Sequence, residues 1–215
     1  ACLALGVNKD DCVWTTPNTF VACANCALYC GATVDFVDID PDTRNMSIKG
    51  LSEKLAKAKS QGELPKAIVV VHFAGIVADM KAIFQFAREY GVSIIEDASH
   101  ALGCEFDGFP VGTGQYSDFT VLSFHPVKPI TTAEGGELLT RNKRLHEQAT
   151  LFAKHGVTRD PKLIDSMYQG NSDGDWYYQQ IELGYNYRLS DLQAALGISQ
   201  LKKLNWFITN RRALA

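Results

Sequence analysis

No stretch of this 215-residue chain is apolar for the roughly 18–20 consecutive residues that a bilayer-spanning helix needs. Its opening residues lack the basic, apolar, small-residue order of a secretory signal. An excess of one charge is missing too: the net charge is −3 at pH 7, so no basic footprint for nucleic acid is visible. The glycine fingerprint of dinucleotide binding is absent from its proper setting, because Gly112-x-Gly114 follows no βα strand and opens no helix. These absences argue against membrane and nucleic-acid partners and favour a cytoplasmic protein. What is present is 46% hydrophobic residues, ample for a core.

The six cysteines are too sparse for a secreted disulfide scaffold. Cys23-x-x-Cys26-x-x-x-Cys30 puts three thiols near one face of a helix, and a zinc or iron–sulfur site would need a fourth ligand and a loop. Free buried thiols acting as small apolar residues, with no metal, are the expectation.

Along the chain, short apolar runs alternate with helical patterns. Cys12–Thr16, Thr33–Ile39, Lys66–His72 and Ile94–Asp97 read as strands. Thr19 is placed to cap a helix over Phe20–Tyr29, and Asp79 to cap one that closes at Gly91. Asp107-Gly108 between aromatics predicts a hairpin. The stretch from about Gly156 to Trp176 is polar and loop-like. Beyond it Ser190 caps a helix whose apolar face comprises Ala194, Leu196, Ile198, Leu201 and Leu204. Strand and helix in alternation predict an α/β fold with a mostly parallel sheet flanked by helices.

Two stretches carry chemistry. Val92-Ser-Ile-Ile climbs directly into Glu96-Asp97, with His100 three residues further on. In open α/β sheets ligands sit beyond the carboxyl ends of strands, so Asp97 and His100 are placed for one. The second stretch is a short strand, Phe119–Phe124, that leads to His125-Pro-Val-Lys128-Pro and on to Glu134-Gly135-Gly136. A lysine between two prolines can be neither in a helix interior nor in a central strand. An acid at one strand end and a lysine at another are what pyridoxal phosphate (PLP) requires. The lysine forms a Schiff base, and the carboxylate keeps the pyridinium nitrogen protonated.

Ser123-Phe-His-x-x-Lys128 with Ala-Glu134-Gly-Gly, Glu96-Asp97-Ala-x-His100-Ala, Pro17-x-Thr19-Phe20-Val-Ala, and Gly184-x-Asn186-x-Arg188 with Gln193-Ala-Ala-Leu-Gly197 resemble the DegT/DnrJ/EryC1/StrS sugar aminotransferases. The resemblance implies the large domain of a fold type I PLP-dependent transferase. It makes Lys128 the Schiff-base lysine and proton shuttle, and Asp97 the partner of the pyridinium nitrogen. His100 would lie beside the ring, Ser123 would bind the phosphate and Phe20 would stack on the ring. Asn186 would reach the PLP of a neighbouring subunit, implying a homodimer with shared sites. The wording around Lys128 and the Trp176-Tyr-Tyr-Gln-Gln run are most similar to members that aminate C4 of a UDP-linked 4-keto-6-deoxy-N-acetyl sugar. Those members take the amino group from glutamate and serve surface-glycan precursors of the pseudaminic acid type. The family's Gly-Thr phosphate loop is expected ahead of Ala1 and its smaller domain beyond Ala215, so residues 1–215 read as an incomplete PLP-binding large domain. Two alternatives stand beside this. A same-family sugar dehydratase would carry His in place of Lys128, and His125 is three positions out of register. A PLP-fold module that binds or regulates without catalysis is the other.

Overall fold

The computed structural model describes residues 1–164 and 176–214. Of the expected polar loop, residues 165–175 lie outside the described residues. The chain parts into two compact units, Ala1–Asn142 with Leu189–Ala215, and Lys143–Arg188.

The first unit is built on a six-stranded sheet. In chain order its elements begin with β1 (Cys12–Thr15), α1 (Ala22–Leu28), β2 (Thr33–Phe36), α2 (Ile48–Gln61) and β3 (Ala67–Val71). There follow α3 (Met80–Tyr90), β4 (Ser93–Asp97), a small hairpin of β5 (Glu105–Phe106) and β6 (Phe109–Pro110), β7 (Phe119–Ser123) and β8 (Gly136–Leu139). The spatial order is β2-β1-β3-β4-β7-β8, parallel throughout except for the antiparallel pair β7–β8.

The core follows from the period of two along each strand. On β3, every residue of which is buried, Ile68 and Val70 join Leu51 and Leu55 of α2 and Ile83 of α3 on one face. Val69 and Val71 join Cys23 and Ala27 of α1 on the other. A run of five residues without a polar one is thus explained by helices on both sides. The same alternation on β4 sends Ile94 to the α2–α3 face and Ile95 to the α1 face. Glu96 and Asp97 at the end of β4 therefore point to opposite sides of the sheet.

Most helix ends are as the sequence predicts. The Asp79 carboxylate accepts from Ala82 N–H at 3.1 Å, and Gly91 closes α3 with φ 69°. Thr19 is a correction. The helix begins at Ala22 behind Val21, which makes no side-chain cap, and the Thr19 hydroxyl turns instead to the Cys23 sulfur at 3.1 Å. The C-terminal apolar helix is a second one. α5 (Asp191–Leu201) opens with a capping box between Ser190 and Gln193, a tight turn at Lys202–Lys203 interrupts it, and α6 (Leu204–Leu214) follows. Leu196, Ile198 and Leu201 stay exposed and do not form a buried face. The cysteines also differ from expectation: all six are free thiols, but only Cys2 and Cys23 are buried.

The second unit holds α4 (Lys143–Ala153) and a short antiparallel pair, β9 (Val157–Thr158) with β10 (Gln179–Gln180). The first end of the stretch expected to be a loop, Val157–Thr158, is thus a short strand, whose partner lies just beyond that stretch. Gly156, at φ 67°, is packed against the Glu182 backbone, where a side chain has no room.

Candidate active site

Strands β4 and β7 are parallel neighbours, and Asp97 is level with Val121 in their register. Asp97 thus ends β4 while Ser123 ends β7, at the same carboxyl edge of the sheet. The Asp97 carboxylate is held from two directions. Oδ1 accepts from Ser99 N–H at 3.0 Å, and Oδ2 accepts from the Cys23 thiol of α1 at 2.9 Å. Three residues before Cys23, Phe20 is 73% exposed at the start of the segment leading into α1, and its carbonyl accepts from Cys23 N–H. An aromatic ring left in solvent, on the segment that leads to the thiol holding this carboxylate, can stack on something flat and apolar.

Lys128 sits on the connection between β7 and β8. Phe124 N–H donates to Gly135 O, and Thr132 N–H donates back to Phe124 O, both at 2.9 Å, so the loop is pinched at its base. Thr132 is buried, and its hydroxyl donates to Glu134 O at 2.8 Å. Gly136 is obligatory for a steric reason: an added Cβ would lie 2.7 Å from Leu122 O. Two long-range donors brace the loop from α5 and α6. Gln193 Nε2 reaches Glu134 O at 2.7 Å, and the Arg211 guanidinium reaches Lys128 O at 3.0 Å. Every bond recorded to Lys128 is through its backbone, and its half-buried amine has no hydrogen-bond or ion-pair partner among the described residues.

His100 is electrostatically coupled to both groups. Partial burial is the largest effect lowering its pKa below the ordinary 6.5, the Lys128 charge lowers it further, and the Asp97 charge opposes them. The linkage sign follows from the depression. The unfolded chain binds this proton more readily, so the contribution to stability is intact above 6.5 and is lost as pH falls from there toward the folded value. In an NMR titration of the cofactor-free protein, His100 should protonate below 6.5. Lys128→Ala should move that midpoint up and Asp97→Asn should move it down. A midpoint that ignores both substitutions would separate His100 from them.

Asn186 belongs to the second unit. There it makes an isolated antiparallel bridge with Lys154, and its side-chain oxygen accepts from Arg188 Nε at 2.9 Å. Within the first unit, Asp97 and Ser123 end neighbouring strands at one sheet edge, His100 lies within electrostatic reach of Asp97 and Lys128, and the Phe20 segment leads into the helix whose Cys23 binds Asp97. The sequence reading missed Cys23, Gln193 and Arg211. Cys23 could have been suspected, since it lies three residues after the exposed aromatic on the helix face turned to the sheet. Gln193 stands in the quoted Gln193-Ala-Ala-Leu-Gly197 motif but had no role assigned, and nothing in the local sequence marks Arg211.

The donor set suits PLP. It offers a carboxylate for a pyridinium nitrogen, a hydroxyl at a strand end for phosphate, an exposed aromatic for a ring, and a lysine amine with no competing partner among the described residues. Among the described residues no group of three or more His, Cys, Asp or Glu side chains is arranged to hold a metal ion. Among them, too, no helix is long and apolar enough to cross a membrane.

Comparison with known proteins agrees. A family model described as "DegT/DnrJ/EryC1/StrS aminotransferase family" matches residues 1–215. The chain is 44% identical over 211 residues to the UDP-4-amino-4,6-dideoxy-N-acetyl-beta-L-altrosamine transaminase of Campylobacter jejuni, covering 98% of this chain and 51% of the relative. Among solved structures it is similar to Helicobacter pylori PseC, described as an aminotransferase involved in the biosynthesis of pseudoaminic acid. The TM-score is 0.77 at 33% identity, over 95% of this chain and 51% of that one. It is also similar to the aminotransferase TlmJ of Streptoalloteichus hindustanus, with TM-score 0.83 at 32% identity over 99% of this chain and 52% of that one. The chain spans about half the length of the curated relatives it matches.

Proposed function

Because the chain belongs to the DegT/DnrJ/EryC1/StrS aminotransferase family and has the fold type I architecture of its PLP-dependent members, we propose that it is the PLP-binding large domain of a nucleotide-sugar aminotransferase. The amino group passes from glutamate to C4 of a UDP-linked 4-keto-6-deoxy-N-acetyl sugar. The reaction takes place in the cytoplasm, on the way to surface-glycan precursors of the pseudaminic acid type. The observation that carries this reading is that Asp97 and the loop bearing Lys128 stand at the same carboxyl edge of the sheet. Asp97 is fixed at a strand end, Lys128 is presented on a pinched loop, and both act on His100.

When bound, PLP supplies an electron sink that stabilises negative charge at the carbon bearing the amino group. The chain's own groups do the rest. Asp97 keeps the ring nitrogen protonated through charge pairing. Ser123 would take the phosphate, Phe20 would pack on the ring, and His100 would lie beside it. Lys128 would hold the cofactor through its amine and would serve as the base that moves a proton at the substrate carbon. Asn186 completes the phosphate site of a second subunit, so that a homodimer holds the working sites.

The test is borohydride reduction of the PLP-saturated protein followed by peptide mass spectrometry. A pyridoxyl group on Lys128 is the expected result. A folded, PLP-saturated protein labelled elsewhere, or not at all, overturns the assignment.

A further inference from the structure

The helix α1 approaches the carboxylate edge with a thiol, and that thiol is committed. Cys23 is 4% exposed. Its sulfur receives the Thr19 hydroxyl proton at 3.1 Å, and its own proton is directed to Asp97 Oδ2 at 2.9 Å. The order of donors is fixed by chemistry, because an ionised carboxylate can only accept and Thr19 supplies the sulfur's incoming bond. Thr19, Cys23 and Asp97 thus form a chain running from the start of α1 to the end of β4.

We propose that Cys23 is a positioning residue for the cofactor, holding the Asp97 carboxylate in the orientation that pairs with the ring nitrogen. The proposal rests on the PLP reading above. Ser99 N–H alone would tether Oδ1 and leave the carboxylate free to swing about that bond. The thiol supplies the second tether, from the opposite element, and charge-assisted hydrogen bonds of this kind add geometric as well as energetic definition. The thiol is also well suited to stay a donor. Burial and the neighbouring Asp97 charge push its pKa up to about 12, so it keeps its proton at neutral pH. A thiol here therefore acts as a weak hydroxyl, neither nucleophile nor metal ligand.

Two readouts separate positioning from mere packing, and neither is activity. The first is PLP affinity, and the second is the nitrogen-15 chemical shift of ring-labelled PLP bound to the protein, which reports the bond to Asp97. Cys23→Ala removes the donor and should weaken PLP binding roughly tenfold, the size expected for one hydrogen bond to a charged group. It should also move the ring-nitrogen signal. Cys23→Ser restores a donor at the same place and should return both readouts close to the parent values. Thr19→Val, which leaves Cys23 in place but unoriented, should fall between them. If Cys23→Ala binds PLP with the parent affinity and an unmoved ring-nitrogen signal, the proposal is overturned. If Cys23→Ser is as impaired as Cys23→Ala, the thiol is a packing residue and the proposal is overturned as well. Failure of the unsubstituted protein to bind PLP at all is a different outcome, which overturns the cofactor assignment and this proposal with it.

Discussion

Lys128→Ala is expected to abolish amino transfer, lowering kcat by roughly 10^4-fold or more, while the protein stays folded. The first half follows from the two tasks assigned to one amine, covalent attachment and proton transfer. No other amine is placed on this loop to take them over. The second half follows from how the loop is held. Its braces are backbone groups: Lys128 N–H to His125 O, Arg211 to Lys128 O, and the Phe124, Thr132 and Gly135 pinch at the base. Alanine keeps all of them, so stability should change by no more than about 0.5 kcal/mol. The same variant should still hold PLP without a covalent bond, through Asp97, Ser123 and Phe20, and should give no borohydride label on this loop. Lys128→Arg separates charge from nucleophilicity. It keeps the cation but supplies no neutral amine, so it should be as inactive as the alanine variant. Partial recovery of Lys128→Ala by an added primary amine would attribute the loss to the missing amine. Activity within tenfold of the parent in either variant would sink the assignment.

The central strands were legible because their burial on both faces removes polar residues from the sequence. Ala67–Val71 could hardly be anything but a strand inside a parallel sheet. Asp97 stood out as an acid at the end of such a run, and Lys128 stood out because two prolines exclude the regular structures. Contacts between distant segments were not legible. Arg211 and Lys128 O are 83 residues apart, and no local pattern foretells that pairing. Cys23 looked like a small apolar residue on a helix face, and by burial it is one. Its hydrogen bond exists only because α1 docks against the end of β4. Thr19 shows the same limit from the other side. A residue with good capping chemistry was diverted by a sulfur that the fold brought closer. The break between α5 and α6 was hidden for a further reason, since the apolar positions continue in helical spacing across it.

The substitution with the largest expected effect on stability lies next to the site but on the other side of the sheet. Glu96→Ala should destabilise the protein by about 3–5 kcal/mol. Glu96 is 6% exposed, and its carboxylate takes three donors: His72 Nε2 at 2.8 Å, Ser117 Oγ at 2.9 Å and Thr120 Oγ1 at 2.6 Å. The His72 Nδ1 accepts from Ala78 N–H at 3.3 Å, so that Nε2 is the nitrogen that donates to the buried carboxylate. Burial by itself would raise the Glu96 pKa. The three donors, with the electrostatic attraction of His72, outweigh it, and the net shift is below the ordinary value of 4.5. Alanine strands a buried imidazole N–H. The two hydroxyls, 3.1 Å apart, can only partly satisfy each other. Glu96→Gln should cost less, since its amide oxygen still accepts and the hydroxyls can rotate to meet its NH2 group. The pH dependence distinguishes the two roles of the carboxylate. A depressed folded pKa means that its contribution is fully present above 4.5 and is lost as pH falls through the folded value, so the glutamine variant should lose that part of the acid sensitivity. Denaturant midpoints measured at neutral and acidic pH carry the test. An alanine variant with the parent midpoint would mean that the network is solvated. Glu96 and Asp97 are consecutive on β4, so anchoring one from the α2–α3 side fixes the strand end from which the other projects toward α1. Loss of the anchor should therefore weaken PLP binding too, even though Glu96 faces away from Asp97.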